Sequence, residues 1–194
     1  MVNITRAADL MEVGANGGAW TAPLGTASPG DPQIQPLAPW LPIGAISDDG
    51  LVQGFDEDSQ EYTPWGYTSP IRTTITKSLR TFKITAWETT RVTARSLHYR
   101  IPESALTPTA GLTSFAETAS PVPDRRAFWF IVLDGATQLG FYVPEGEITE
   151  RSDVTHKQDE MAGFEWTITA YPDVSGNTVY HADRVPPTPA YTGS

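Results

Sequence analysis

The sequence predicts a mainly β protein, an antiparallel β-sandwich or partly closed barrel of about seven or eight strands with one flanking α-helix and extended arms at both ends. Several segments rich in β-branched residues alternate apolar and polar side chains with a period of two, as half-buried strands do. The 16 glycines and 17 prolines among 194 residues indicate many turns. A hydrophobic content of 39% with six tryptophans suffices for one core.

Residues 1–41 are predicted to form an extended N-terminal arm. A short helix is expected at residues 5–12, ended by the glycine-rich GANGG at residues 14–18, and a short strand at residues 19–22. Six prolines follow between residues 23 and 42. Because proline lacks the backbone N–H and fixes φ, this stretch should be extended and loop-like.

The folded body is predicted over residues 42–180, beginning with two short strands. Residues 43–46 and 51–55 flank the turn sequence SDDG, and Asp-Gly favours the positive φ of hairpin turns. Residues 56–70 are acidic, then aromatic and interrupted by proline, and are expected to form a long loop.

The clearest strand patterns lie between residues 71 and 87. In the first, Ile71, Thr73 and Ile75 share one face. In the second, Phe82, Ile84 and Ala86 should point inward, and the alternate residues Thr81, Lys83 and Thr85 outward. Residues 88–99 are ambiguous, and we interpret them as a helix capped by Thr89 or Thr90 that carries Val92, Leu97 and Tyr99.

The second half of the body contains the most apolar segment. After an irregular, proline-containing insertion at residues 101–125, residues 128–133 are apolar on both faces, which predicts a central covered strand. This strand should turn back at Asp134-Gly135 as a hairpin. A polar strand is expected at residues 146–156 and a clearly alternating one at residues 164–171. Residues 181–194 should be a mobile, proline-rich tail.

Charge and cysteine content restrict the possible functions. A net charge of −10 argues against ordinary nucleic-acid binding, which requires Lys and Arg, and against docking on an anionic membrane. The absence of cysteine excludes disulfides, thiolate metal sites and a cysteine nucleophile. No apolar run has the length of a signal-peptide core or a membrane span. We therefore expect a soluble protein that is made and used in the cytoplasm.

No catalytic motif is recognisable, and we predict no enzymatic activity, cofactor or metal. The sequence lacks a P-loop, a dinucleotide fingerprint and a G-x-S-x-G elbow. The three histidines are far apart in sequence, which favours solvated histidines over a zinc site. A calcium loop beginning at Asp56 fails because Glu61 replaces the required glycine and Tyr67 the bidentate glutamate. Glu145 and Glu147 could form a glycosidase pair, but neighbouring strand positions favour solvated side chains.

Three aromatic residues lie close together in the predicted loop. Tyr62, Trp65 and Tyr67, beside carboxylates, could stack on a sugar ring or pack against a neighbouring subunit. Arms at both ends and the lack of catalytic chemistry favour the subunit interface. A carbohydrate-binding β-sandwich module remains the alternative.

Four stretches of the chain resemble the tail tube (major tail) proteins of phages with long non-contractile tails, especially those that infect actinobacteria. GANGGAWTAPLGTASP (14–29) is similar to the N-terminal segment of that family. PIGAISDDGL (42–51) resembles its L-G-x-I-S-E-D-G-L, with Asp48 in place of Glu. Residues 71–92 are similar to the paired strands that lead to its E-T-N segment, with Thr90 in place of Asn. Residues 141–173 resemble its closing segment, which ends A-Y-P-D.

The resemblance implies a structural virion protein that forms stacked, hexameric rings around a tape-measure protein, with a lumen for DNA passage. The partners would be other copies of the chain, the tape-measure protein, and the tail-tip and tail-terminator proteins, with assembly in the host cytoplasm and DNA present only in transit. Type VI secretion-like tube subunits are a second family with this architecture. The arms and residues 56–70 would bridge adjacent rings. The expected inter-ring contacts are Trp20, Trp40, Asp56, Glu57, Asp58, Tyr62, Trp65 and Tyr67.

An acidic lumen would suit a DNA conduit. Carboxylates on the wall would repel DNA within a Debye length of about 8 Å, so DNA would slide rather than adhere. The polar faces of the late strands supply the expected lumen-facing acids, which are Glu145, Glu147, Asp153 and Glu165.

Overall fold

Eight strands form one antiparallel sheet in the computed structural model, which describes residues 11–186. The strands are β1 (Asn16–Pro23), β2 (Leu41–Pro42), β3 (Val52–Tyr62), β4 (Arg72–Ala86), β5 (Arg125–Asp134), β6 (Thr137–Arg151), β7 (Phe164–Tyr171) and β8 (Tyr180–His181). The described residues also contain helix α1 (Val92–Tyr99) and a 3-10 helix (Glu103–Leu106). The predicted mainly β fold is confirmed.

The sheet follows the order β2-β1-β5-β6-β7-β4-β3, with β8 added on β6, and does not close into a barrel. It folds over on itself instead. Phe82 of β4 and Phe130 of β5 stack with ring centroids 5.0 Å apart. Two strands separate β4 from β5, which would place them about 14 Å apart in a flat sheet. Strand β6 belongs to both layers, since it pairs with β5 up to Glu147 and with β7 from Glu145 onward.

The main core lies between the two layers and is closed by α1. Phe82, Phe130 and Trp166 are almost fully buried there, and α1 contributes Ala94 and Leu97. A second apolar cluster lies on the opposite face of β5. Trp129 and Tyr142 form its centre, and Trp40 covers them from the segment between β1 and β2. Strand β5 is therefore covered on both faces, as its apolar sequence predicted.

The alternating patterns of the sequence are confirmed where the core covers them. Phe82, Ile84 and Ala86 are at most 2% exposed, and the inward set of β7 is buried as well. The turn at Asp134-Gly135 is present, with Gly135 at φ 56. Helix α1 lies within the predicted range, but its cap was predicted wrongly. Arg91 occupies the N-cap position without a side-chain cap, so neither Thr89 nor Thr90 caps the helix.

The hairpin predicted for residues 43–55 does not form, although its turn does. Gly50 donates its N–H to the carbonyl of Ser47 at 3.0 Å, closing the turn. Both flanking segments pair with β4 instead of with each other, through Ile46 opposite Ala86 and Val52 opposite Lys83. A turn sequence indicates a local change of direction, but it does not identify the strand with which each flank pairs.

Residues 56–62, predicted as part of a loop, are the second half of β3. Their acidic side chains disfavour a strand locally, but ladder pairing with β4 holds the backbone extended. Only residues 63–71 connect the two strands. The two alternating segments at residues 71–76 and 80–87 are likewise one strand, β4. Strand β6 also merges two predicted strands and ends at Arg151, so residues 152–156 lie outside it.

A β-bulge in β4 explains why its alternation changes phase. The apolar residues are odd-numbered at Ile71 and Ile75 but even-numbered at Phe82 and Ile84. The ladder shifts at this point, since Asp58 pairs with Lys77 and Ser59 with Ile75, leaving Thr76 as the extra residue. One inserted residue reverses the facing of every residue beyond it. Ile71 and Ile75 therefore continue the face that carries Phe82.

Both chain ends extend beyond the described residues. The strand expected at residues 19–22 is present as β1, which pairs along its whole length with β5. The expected helix at residues 5–12 falls largely outside the described residues, as does most of the proline-rich tail at residues 181–194. In the described part of the chain, no helix is long and apolar enough to cross a membrane.

His98 of α1 contacts two residues of β7 and so packs the helix against the sheet. Its ring stacks on Phe164 with centroids 3.9 Å apart, and its Nδ1 accepts the indole N–H of Trp166 at 3.2 Å. Burial, assisted by the nearby Arg151, lowers the pKa of His98 to about 4. His98 was predicted to be a solvated histidine, but in the structure it is a half-buried, neutral hydrogen-bond acceptor.

We predict that acid destabilises the fold through His98. Between about pH 6.5 and pH 4 the unfolded chain binds a proton here that the folded chain does not. Stability should therefore fall as the pH falls through this window. The urea midpoint at several pH values measures the effect. His98→Asn, which retains an acceptor near Nδ1 and does not titrate, should show a smaller decrease. Identical slopes for both proteins would contradict the prediction.

Candidate assembly surfaces

The most prominent surface feature is the outer part of the β3–β4 hairpin, residues 56–79, which we call the distal hairpin. Strand β4 has 15 residues and spans about 50 Å, but only its last five bury side chains in the core. Every residue of β3 from Phe55 onward is exposed. The distal hairpin therefore extends beyond the body that anchors it.

Large apolar side chains on and beside the distal hairpin face solvent. Trp65 at its tip is 103% exposed, and Ile71 and Ile75 are 70% and 67% exposed. The other exposed apolar residues here are Phe55, Tyr62 and Tyr67. Clustered apolar exposure of this kind marks an interaction surface.

The charged residues of the distal hairpin mostly hold the hairpin together. Lys77 Nζ lies 2.5 Å from a carboxylate oxygen of Asp56, and Ser78 Oγ lies 3.1 Å from a carboxylate oxygen of Glu57. At the base, the Arg80 guanidinium lies 3.7 Å from the centroid of the Phe55 ring. These cross-strand contacts stiffen the hairpin, because Glu57–Ser78 and Phe55–Arg80 join opposite positions on β3 and β4 and Asp56–Lys77 joins a diagonal pair.

A second surface is the outward face of β4, β7 and β6, which we call the polar face. Cross-strand pairs place Lys83, Thr167 and Glu150 in one row, and Thr81, Thr169 and Glu147 in the next. Neither apolar cluster of the described residues includes a side chain of this face. It contrasts with the outward face of β5, which Trp40 covers.

Three of the four acids expected to face a lumen are ion-paired. Glu165 pairs with Lys83, which lowers the pKa of the Glu165 carboxyl. Glu145 pairs with Arg125, whose guanidinium lies 4.2 Å from the centroid of the Tyr171 ring. The fourth acid, Asp153, is exposed and makes no ion pair within the described residues.

Glu147 is the most buried of these acids. It is 9% exposed and lies between Arg100 at 3.3 Å and Arg125 at 3.7 Å. Arg100 also donates to the carbonyl of Ile148 at 3.1 Å. Sequence reasoning missed these arginines, because a cross-strand pair is visible only when the strand register is known. The expected solvated position of Glu147 is therefore wrong.

The two tryptophans expected at ring contacts lie apart from the distal hairpin. Trp40 is 6% exposed, packs edge-on against Tyr142 at 6.1 Å and donates its indole N–H to the carbonyl of Ala27 at 3.2 Å. Trp20 is half-buried against the same cluster. The other six expected contact residues all lie on the distal hairpin, along its length and at its tip, and are Asp56, Glu57, Asp58, Tyr62, Trp65 and Tyr67.

A cavity of about 740 Å³ opens where the sheet fails to close. Its walls are the start of β1, the segment 44–51 and the base of β3, and its floor is formed by Phe130, Val132 and Leu139. The cavity is also lined by three acidic residues, Glu12, Asp48 and Asp49. Within residues 11–186, no group of three or more histidine, aspartate or glutamate side chains is arranged to hold a metal ion.

Comparison with known proteins gives one match. A family model described as phage tail tube protein matches residues 5–185, which is nearly the whole chain. No curated protein matches the sequence.

We predict that Glu147→Gln destabilises the fold by about 1–3 kcal/mol, because it leaves the largely buried Arg100 without its carboxylate partner, whereas the exposed Arg125 retains Glu145. Asp153→Asn, at an exposed acid without an ion pair, is the matched control and should change stability by less than about 0.5 kcal/mol. Urea unfolding at neutral pH measures both. Equal effects would show that the arginine pairing is not structural.

Proposed function

We propose that this chain, which belongs to the phage tail tube protein family, assembles through its distal hairpin into stacked hexameric rings. As a member of that family it is a structural tail tube subunit and a component of the virion tail. The observation that carries the proposal is the distal hairpin, which exposes Trp65, Ile71 and Ile75 on a ribbon that extends away from the body.

The distal hairpin supports a contact with another copy. A two-stranded hairpin is marginally stable alone in water, and no layer of residues 11–186 covers this one. A second copy would bury its apolar side chains. In our proposal the hairpin contacts a different surface of the second copy, and such a heterologous contact stays open where the rotation between copies does not close a ring. Repetition of such a contact yields a stack.

The sheet edges support lateral contacts within a ring. The path of the sheet ends at β2 on one side and at β3 on the other, so each copy offers two different edges. Edge strands present unpaired backbone groups that readily pair with another strand. We infer that neighbouring copies join edge to edge around the ring and form a continuous inner wall.

The polar face is our candidate for the lumen wall. It presents threonines and ion-paired charges, whereas the outward face of β5 is covered by its own chain. Six copies of a chain with net charge −10 would carry −60. DNA has one negative charge per about 1.7 Å, so this ring would repel it. Because Glu145, Glu147 and Glu165 are neutralised locally, the repulsion would come from the net excess and from unpaired acids such as Asp153.

The remaining parts of the proposal concern partners and place of assembly. A tape-measure protein would occupy the lumen before DNA, and tail-tip and tail-terminator proteins would begin and end the tube. Assembly would take place in the host cytoplasm. As a structural subunit, the chain would catalyse no reaction.

Removal of the distal hairpin tests the proposal. Residues 56–79 are replaced by Asn-Gly, which closes the opposed pair Phe55 and Arg80 with a two-residue turn. The variant should unfold in urea like the wild type, because the deleted side chains are outside the core, but should form no rings or tubes in negative-stain electron microscopy. Tubes formed by the shortened protein would contradict the proposal.

A control distinguishes loss of the hairpin from general damage. Replacing residues 157–160, an exposed loop with a Lys157–Glu160 pair, by glycine and serine should leave tube formation unchanged.

A further inference from the structure

The cavity at the open side of the sheet combines an apolar floor with polar walls. Phe130, Val132 and Leu139 form an apolar floor. Five glycines line the wall, namely Gly14, Gly17, Gly18, Gly44 and Gly50, and a Cβ at Gly50 would meet no other atom, so the wall is open there. Its volume of about 740 Å³ lies in the range of sites that enclose small ligands, about 300–1,000 Å³.

Trp65 is a large apolar group without a partner in the described residues. It is fully exposed at the tip of the distal hairpin, between Pro64 and Gly66, with Tyr62 and Tyr67 beside it. Buried tryptophans at the centre of an interface contribute more to binding than most other residues. An exposed tryptophan at the end of a stiff ribbon is therefore suited to insertion into a cavity.

The hairpin cannot fill the cavity of its own chain. Leu51 and Gln53, at the base of β3, line the cavity. The tip lies at the other end of this eleven-residue strand, about 30 Å away. Cross-strand contacts along β3 and β4 prevent the ribbon from folding back.

We propose that Trp65 of one copy inserts into this cavity of a second copy. This inference rests on the proposed self-assembly and specifies its receiving site. The charge of the tip is compatible with this site. The cavity lining carries Glu12, Asp48 and Asp49, and the tip residues 62–71 are uncharged, so the entering tip adds no carboxylate next to these acids. Glu61 and Arg72, which flank the tip on β3 and β4, offset each other.

The contact has a consequence for assembly. Each copy carries one Trp65 and one cavity, and the two lie at different places on its surface, so each insertion leaves a free tip and a free cavity. Such contacts propagate as a filament.

Disulfide trapping tests the contact directly, because the chain contains no cysteine of its own. Two single-cysteine proteins are prepared, Tyr67→Cys at the tip and Asp48→Cys at the cavity. Oxidised together at high concentration, they should give a covalent heterodimer. Tyr67→Cys mixed with Glu160→Cys, a cysteine on a distant exposed loop, should give at least tenfold less. Equal yields would overturn the inference, whether or not tubes form, because trapping also captures weak contacts.

Substitutions in the tip of the distal hairpin and in the cavity provide a second test. Trp65→Ala should raise the protein concentration needed for tube growth about 30-fold, the effect of removing a hot-spot tryptophan. Val174→Ala, at another fully exposed apolar residue, is the control and should have no effect. Gly14→Phe should mimic Trp65→Ala by filling the cavity, since a Cβ at Gly14 meets only Val132 and the backbone there is unstrained.

The two proposals fail differently. If the wild type forms no tubes with its tail-tip proteins present and no crosslink appears, both are wrong. If tubes form normally with Trp65→Ala and no specific crosslink appears, the proposed function stands and the receiving site is wrong.

Discussion

Strand β4 is longer than the core that it helps to cover, and the rest of the molecule depends on this mismatch. Its last five residues seal the main core through Phe82, Ile84 and Ala86. Its first part extends outward with β3 as its only ladder partner within residues 11–186. The bulge at Thr76 keeps Ile71 and Ile75 on the core side of the ribbon, where no core remains to cover them. The chain therefore consists of a folded body and a hairpin whose apolar side chains remain exposed.

Electrostatics complement this arrangement. The chain is strongly acidic, yet its late strands neutralise Glu145, Glu147 and Glu165 with cations drawn from neighbouring strands. Local pairing stabilises the sheet, while in the proposed tube the net excess of negative charge would act at longer range on DNA in the lumen. The exposed apolar side chains of the distal hairpin would provide the attraction between subunits. A tube subunit needs both properties, because its copies must adhere to each other and not to DNA.

The sequence predicted the strands that the core buries, because alternation reports burial. Phe82, Ile84 and Ala86 are the clearest example. The sequence predicted the wrong structure where hydrogen-bonded pairing between strands determines the backbone conformation against the preference of the residues. The acidic composition of residues 56–62 predicts a loop, but pairing with β4 holds them in a strand. The aromatic group at Tyr62, Trp65 and Tyr67 was found from sequence, whereas the arginines that neutralise Glu147 required the register. Trp40 was expected at a contact between rings and is instead buried in the second cluster.

Hydrogen–deuterium exchange of the distal hairpin tests the central claim most directly. Exchange of residues 56–79 is compared between free subunits and assembled tubes. In free subunits these amides should exchange faster than those of β5, since no other element of the described part of the chain covers the hairpin. In tubes they should become strongly protected, because another copy covers them. Equal exchange of residues 56–79 in both states would contradict the claim that the distal hairpin joins the subunits.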